Sequence, residues 1–221
     1  MSDDLAISAK IKLGVAQMPE KIAETQYQID NLIKQRWSPL AFSDQTVEAE
    51  KLGSILEAAR WAASSYNEQP WSFIVATKEN TKEFERLLSC LAEGNQVWAK
   101  NAPVLMISVA KLHFEKNGKE NLHAFHDVGQ AVSNLAVQAT ALDLYIHQMA
   151  GFDVSKAREL YGIPEGYEPV AAIALGYGAA AETLPENLQQ RELAPRSRKP
   201  VASFTFTGSW GQTTPGLDSS D

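Results

Sequence analysis

From about His123 to Met149 the chain is helix-forming, with Val128, Ala131, Val132, Leu135, Ala139 and Leu142 in one wide apolar stripe and few charges. Such a helix must be buried on most of its sides, so the remaining elements have to supply layers that cover it. Two β-branched, apolar runs, Ser72 to Thr77 and Val104 to Ala110, read as buried strands. A third, Pro169 to Tyr177, closes the pattern. Between them the spacing predicts helices over Gln26–Arg36, from Thr46 to Ser64-Ser65, over Thr81–Glu93 and over Val154–Tyr161. The polar stretch Lys111–Asn121 reads as a flexible loop. The first strand arrives late and helices outweigh strands. That favours an α+β fold over a doubly wound nucleotide fold, and no Gly-x-Gly-x-x-Gly or Walker-type sequence is present.

A chain of 221 residues with 44% apolar and 21% charged residues is long enough to bury a sizeable core as one compact unit. The net charge of -7 argues against general binding to nucleic acid, which requires clustered basic residues. The apolar runs are too interrupted to span a bilayer, and the first twenty residues carry Asp3 and Asp4 without a signal-like apolar segment, so a cytoplasmic location is the expectation. The single cysteine, Cys90, lies in a helical run and reads as a small buried hydrophobe. His123, His126 and Asp127 share a segment but lack a second ligand pair, so no metal site is expected. No Gly-x-Ser-x-Gly occurs, and Ser64-Ser65 has no flanking glycines. Trp61 and Trp71 read as core, whereas Phe125 or Trp37 could stack on a planar ligand.

Two basic sets stand out against this acidic background. Arg36 and Ser38 lie in R-W-S-P-L, and Arg196 and Arg198 lie in R-S-R-K-P near the other end. Brought together, they would form a phosphate socket, since guanidinium forks bind phosphate in pairs of hydrogen bonds. The alternative is solvated surface.

The order of several further motifs resembles the flavin-dependent nitroreductase family. The early R-x-S is followed by small residues leading into Asn67-Glu68-Gln69-Pro70-Trp71 and a strand. Asn101-Ala102-Pro103, Asp127-Val128-Gly129-Gln130-Ala131, Gly151-Phe152-Asp153 and Leu175-Gly176-Tyr177 come next, before the terminal arginines. The likeness covers roughly residues 29–202. It implies a mixed, mostly antiparallel sheet flanked by helices in an interlocked homodimer, with FMN at the interface. Residues 1–25 then form an N-terminal extension, 26–202 the FMN-binding domain, and 203–221 a tail. With Phe204, Phe206 and Trp210 around its start, that tail is either disordered or wrapped on the partner subunit.

The resemblance also assigns roles. Arg36, Ser38, Arg196 and Arg198 would hold the FMN phosphate. Asn67 and Gln69 would meet the ribityl chain or the pyrimidine edge, the alternative for Asn67 being a cap on the turn before Pro70. The backbone at Ala150 and Gly151 would approach flavin N5, and Trp37 and Ser65 complete the cofactor contacts. No side chain is expected to act as catalyst, because the cofactor carries the chemistry. NADH or NADPH would reduce the flavin in a ping-pong cycle whose second half reduces a nitroaromatic, quinone or enal. Alternatives are a reductive dehalogenase, a flavin-fragmenting enzyme, a redox sensor without steady turnover, or a binder of another phosphate-bearing ligand. One departure is Leu40, where relatives often carry a basic residue. Its absence predicts a lower flavin reduction potential.

Overall fold

The computed structural model describes residues 18–217. Helix α1 (Asn31–Gln35) begins where Asp30 accepts a hydrogen bond from the Leu32 N–H at 2.8 Å, and it ends at Arg36. It is a single short turn and not the longer helix the spacing predicts from Gln26. Ile29 and Ile33 are exposed, so no packing supports a longer one. Helix α2 (Ala49–Arg60) buries Ile55 and Ala59 and stops short of Ser64. Strand β1 (Trp71–Thr77) leads into α3 (Thr81–Leu88), which is capped by the Asn80 side chain. The predicted helix over 81–93 divides, since a second helix, α4 (Glu93–Ala99), follows a turn at Ser89–Ala92. Strand β2 (Val104–Lys111) precedes α5 (Ala124–Ala141).

Here the predicted long helix also divides. Asp143, at φ 58°, takes the left-handed conformation, and strand β3 (Tyr145–Met149) begins two residues later. Helix α6 (Val154–Tyr161) starts at the Asp153 cap and ends on left-handed Gly162. Strand β4 (Tyr167–Gly176) and helix α7 (Glu186–Leu193) follow.

The four strands form one antiparallel sheet in the order β1-β2-β4-β3. Strand β2 is central and fully buried up to Ala110. β1 is an edge strand with Val75 exposed, so it is half-buried where the sequence suggested a buried strand. The β2–β4 register shifts opposite Pro169–Ala171, an irregularity that accommodates a proline without an N–H for the ladder.

Alternation along β2 sends Leu105, Ile107 and Val109 to one face, against Phe84 and Leu87 of α3, Trp98 of α4 and Ala157 of α6. Val104, Met106 and Ala110 face the other way, against Ile55 and Ala59 of α2 and the apolar stripe of α5. Helices therefore cover both faces, and the α5 stripe is buried as its composition required. Cys90 is fully buried, and burial pushes its thiol upward. The Pro103 ring fills the space in which a side chain at Gly176 would sit, which ties two of the family-like motifs together. Among the described residues no helix is long and apolar enough to cross a membrane.

Candidate functional site

The chain leaves α1 in extended conformation at Arg36 and runs inward. Trp37 is 7% exposed and packs edge-on to Tyr145, with ring centroids 6.1 Å apart, so it is a buried wall and not a loop aromatic. The Pro39 carbonyl accepts a hydrogen bond from Nδ1 of His147 at 2.8 Å, which fixes the proton on that nitrogen. His147 also packs on Trp98, at 4.6 Å between centroids. Burial lowers its pKa, only partly offset by the hydrogen bond to Pro39. The next two amides, Leu40 N and Ala41 N, donate to the buried carboxylate of Glu192 at 2.8 and 3.4 Å.

From the other end of the chain, α7 delivers Arg191 and Glu192, and the extended segment after it delivers Arg196 and Arg198. One Arg196 nitrogen donates to the carbonyls of Lys21 and Lys34, both at 2.7 Å, and another to that of Arg36 at 2.9 Å. Three of five guanidinium N–H groups are thus spent on the main chain, leaving two for a ligand. Arg36 reaches Ser38 Oγ at 3.4 Å.

These groups surround a cavity of about 190 Å³ lined by Arg36, Trp37, Ser38, Arg196 and Arg198, together with Lys21, Leu40, Arg191 and Glu192. Burial, then Arg196 and Arg198, pushes the Arg36 guanidinium below its ordinary value, and burial and Arg198 do the same to Arg196. Desolvated cations facing one another across a cavity fit a dianionic phosphate, which would relieve both penalties. Leu40 borders the cavity but is only 2% exposed, so a lysine there would place its ammonium in the core.

The other sequence-predicted residues do not line this cavity. Ser65, Asn67 and Gln69 lie in a loop where Tyr66, Asn67 and Gln69 all have positive φ, between 53° and 56°. The loop is held by Ser65 N donating to buried Asp127 at 2.9 Å and Gln69 N donating to Ser64 Oγ at 3.0 Å. Asp127, expected only to offset the helix dipole, therefore also anchors this loop. Asn67 and Gln69 are exposed.

Ala150 and Gly151 are exposed on a separate loop, where Ala92 N and Asn95 Nδ2 donate to the Gly151 carbonyl at 3.0 and 2.9 Å. A side chain on Gly151 would meet Asn95 Nδ2 at 2.8 Å, so only glycine fits without a shift. The stretch 111–121 closes into a hydrogen-bonded turn through a His113–Glu120 bridge, with Phe114 against Tyr66 at 5.8 Å. Trp61, expected in the core, is 73% exposed, and Phe125 is 50% exposed. Among the described residues no group of three His, Cys, Asp or Glu is placed to hold a metal ion. Sequence reasoning missed Lys21, Arg191 and Glu192. The only signal for Glu192 was its place just before the basic run.

A sequence profile of the Nitroreductase family matches residues 33–177, and the chain belongs to that family. A solved structure described as an oxidoreductase containing FMN superposes with a TM-score of 0.81 at 35% identity, covering 86% of this chain and 96% of that one. A 15.4 kDa uncharacterized protein of Mycolicibacterium smegmatis is 30% identical over 128 residues, 58% of this chain and 84% of its own length. A candidate NADH dehydrogenase/NAD(P)H nitroreductase of Methanothermobacter thermautotrophicus is 31% identical over 153 residues, 66% of this chain and 75% of its own.

Proposed function

We propose that this chain is an FMN-dependent oxidoreductase that takes reducing equivalents from NADH or NADPH and passes them, in separate half-reactions, to a small electron-poor acceptor such as a nitroaromatic, quinone or enal. The observation that carries this reading is the convergence of Arg36, Ser38, Arg196 and Arg198 on one cavity walled by Trp37. Arg36 and Arg198 would carry the charge pairing with the flavin phosphate, Ser38 adds a neutral donor, and Arg196 gives its two remaining N–H groups while holding the cavity's walls. When bound, FMN supplies hydride acceptance and donation at its ring.

Ser65, Asn67, Gln69, Ala150 and Gly151 are proposed to meet the ring and ribityl chain; none of them lines this cavity, so a second copy would contribute them. Trp61, Tyr66, Leu122 and Phe125, all exposed beside the Ser65–Gln69 loop or at the start of α5, support a homodimer that would cover them. Phe204 and Trp210, 62% and 92% exposed, give the tail apolar surface for the same partner. Truncation at Val201 should then weaken dimerisation, and an unchanged sedimentation profile would refute that assignment.

The test of the main reading is the visible spectrum of the purified protein, followed anaerobically after NADH and, separately, NADPH. Flavin bands that bleach support it and name the donor. Bands that persist point to a different reductant or a sensing role, and no bands after reconstitution with FMN would overturn it.

A further inference from the structure

Lys21 lies before α1, outside the segment that the family profile matches. Its ammonium donates to the main-chain carbonyl of Glu192 and sits 4.7 Å from the Trp37 ring centroid, on the wall of the anion cavity. The segment that carries it is pinned on both sides. The Lys21 carbonyl accepts from Arg196 at 2.7 Å, and Ala23 N donates to the Lys34 carbonyl at 3.0 Å. The backbone at residues 21–23 is therefore a strap across the end of α1 and the extended segment that follows α7, and that backbone sets where the Lys21 side chain starts.

An ammonium has three N–H groups, of which Glu192 O takes one. The ring face beneath it accepts no conventional hydrogen bond. Burial lowers the Lys21 pKa, the Glu192 carboxylate partly restores it, and Arg196 lowers it again. A partly desolvated cation that already faces other cations gains most from an anion placed between them.

We propose that Lys21 is a phosphate ligand of this cavity, supplied by the N-terminal strap and acting beside Arg36, Ser38, Arg196 and Arg198. The ligand class is a phosphate monoester, and its identity as FMN rests on the proposed function above. The strap thus makes occupancy of the socket depend on residues that precede the matched family segment.

The experiment uses the full chain with Lys21→Gln, Lys21→Met and Lys21→Arg, each checked for folding by circular dichroism. The methionine variant keeps an apolar stem on Trp37 and removes the charge. Calorimetric titrations use FMN, riboflavin and phenyl phosphate. Loss of one charge-assisted hydrogen bond should weaken FMN about tenfold or more in Lys21→Gln and Lys21→Met, leave riboflavin within twofold, and be largely restored in Lys21→Arg. FMN affinity unchanged by both neutral variants, or riboflavin weakened as much as FMN, would overturn the assignment. If the parent chain binds no FMN, the flavin reading fails by itself. The phenyl phosphate series then decides for Lys21: a tenfold loss in the neutral variants supports it, and equal affinities or no binding to the parent overturn it.

Discussion

Replacing Glu192 should separate the stability of the socket from its affinity for anions, because the two are expected to move in opposite directions. The carboxylate is 2% exposed and accepts from Leu40 N at 2.8 Å and Ala41 N at 3.4 Å. Glu192→Ala would orphan both buried amides at about 1–3 kcal/mol each, with the longer contact at the low end, so roughly 3–4 kcal/mol in all. At about 2–4 °C per kcal/mol for a chain of this size, the melting temperature should fall by roughly 10 °C. Glu192→Gln keeps one oxygen for Leu40 N but loses the charge and sets an amide group against Ala41 N, so a fall of about 4 °C is expected.

The carboxylate also faces the cations of the cavity. At an effective dielectric of about 20, unit charges about 10 Å apart interact by roughly 1.7 kcal/mol, and solvent screening brings the opposition of a carboxylate on the cavity wall to a bound anion to on the order of 1 kcal/mol. Glu192→Gln should therefore bind phenyl phosphate or FMN about fivefold more tightly while melting earlier. Differential scanning fluorimetry and calorimetric titration read the two effects. A Glu192→Ala variant melting within about 2 °C of the parent, or a Glu192→Gln variant that binds anions no more tightly, would refute the reasoning.

His147 is held neutral by burial, its folded pKa lying below the unfolded value of about 6.5, so the unfolded chain takes up the proton first. The stability present above pH 6.5 is then lost as pH falls toward the folded value, with Arg191 adding to the penalty; Asn at 147 keeps a donor for Pro39 and should flatten that decline in pH-dependent denaturant melts. The Tyr161 hydroxyl is buried with no partner, and burial pushes its pKa up to about 12, so Tyr161→Phe should leave stability unchanged or raise it by about 1 kcal/mol, and a loss of that size in urea unfolding would contradict this. Arg198→Gln should weaken phosphate binding at nearly constant melting temperature, whereas Arg196→Lys should lower both, because a point ammonium cannot hold the three carbonyls that Arg196 spans; equal thermal effects from the two would count against the clamp.

Strands β1, β2 and β4 and helices α5 and α6 were legible because each carries a strong local signal: β-branched runs, a wide apolar stripe, or a cap such as Asp153. Strand β3 was hidden because its break from α5 is made by Asp143 in the left-handed region, where a reader of sequence looks for glycine. Trp61 misled because an aromatic residue next to the apolar face of an amphipathic helix normally points inward, whereas here it stands at the C-cap of α2 with its indole N–H donating to Glu57 at the surface. The basic halves of the cavity could be named from their residues, since arginine with serine advertises anion binding. Glu192 and Lys21 could not. A buried carboxylate and a lysine before a short helix look like solvated surface until the backbone shows which amides and which ring they meet.

Arg196 makes the cavity a product of long-range folding and not of any one element. Its guanidinium joins residues 21, 34 and 36 to a segment 160 or more positions later, so the socket exists only when both ends of the domain have met. That arrangement opposes itself electrostatically, because on top of burial Arg196 and Arg198 lower the pKa of Arg36, and Arg198 lowers that of Arg196. An anion binding only to the closed form removes that repulsion, and by mass action alone it stabilises the fold by about 2.7 kcal/mol at a hundred times its Kd. That gain is comparable to orphaning the Glu192 amides, so a bound phosphate should largely mask the stability defect of Glu192→Ala. The ligand and the carboxylate thus act on one structural unit from opposite sides: Glu192 holds its backbone closed, and the anion neutralises the charges that closure brings together.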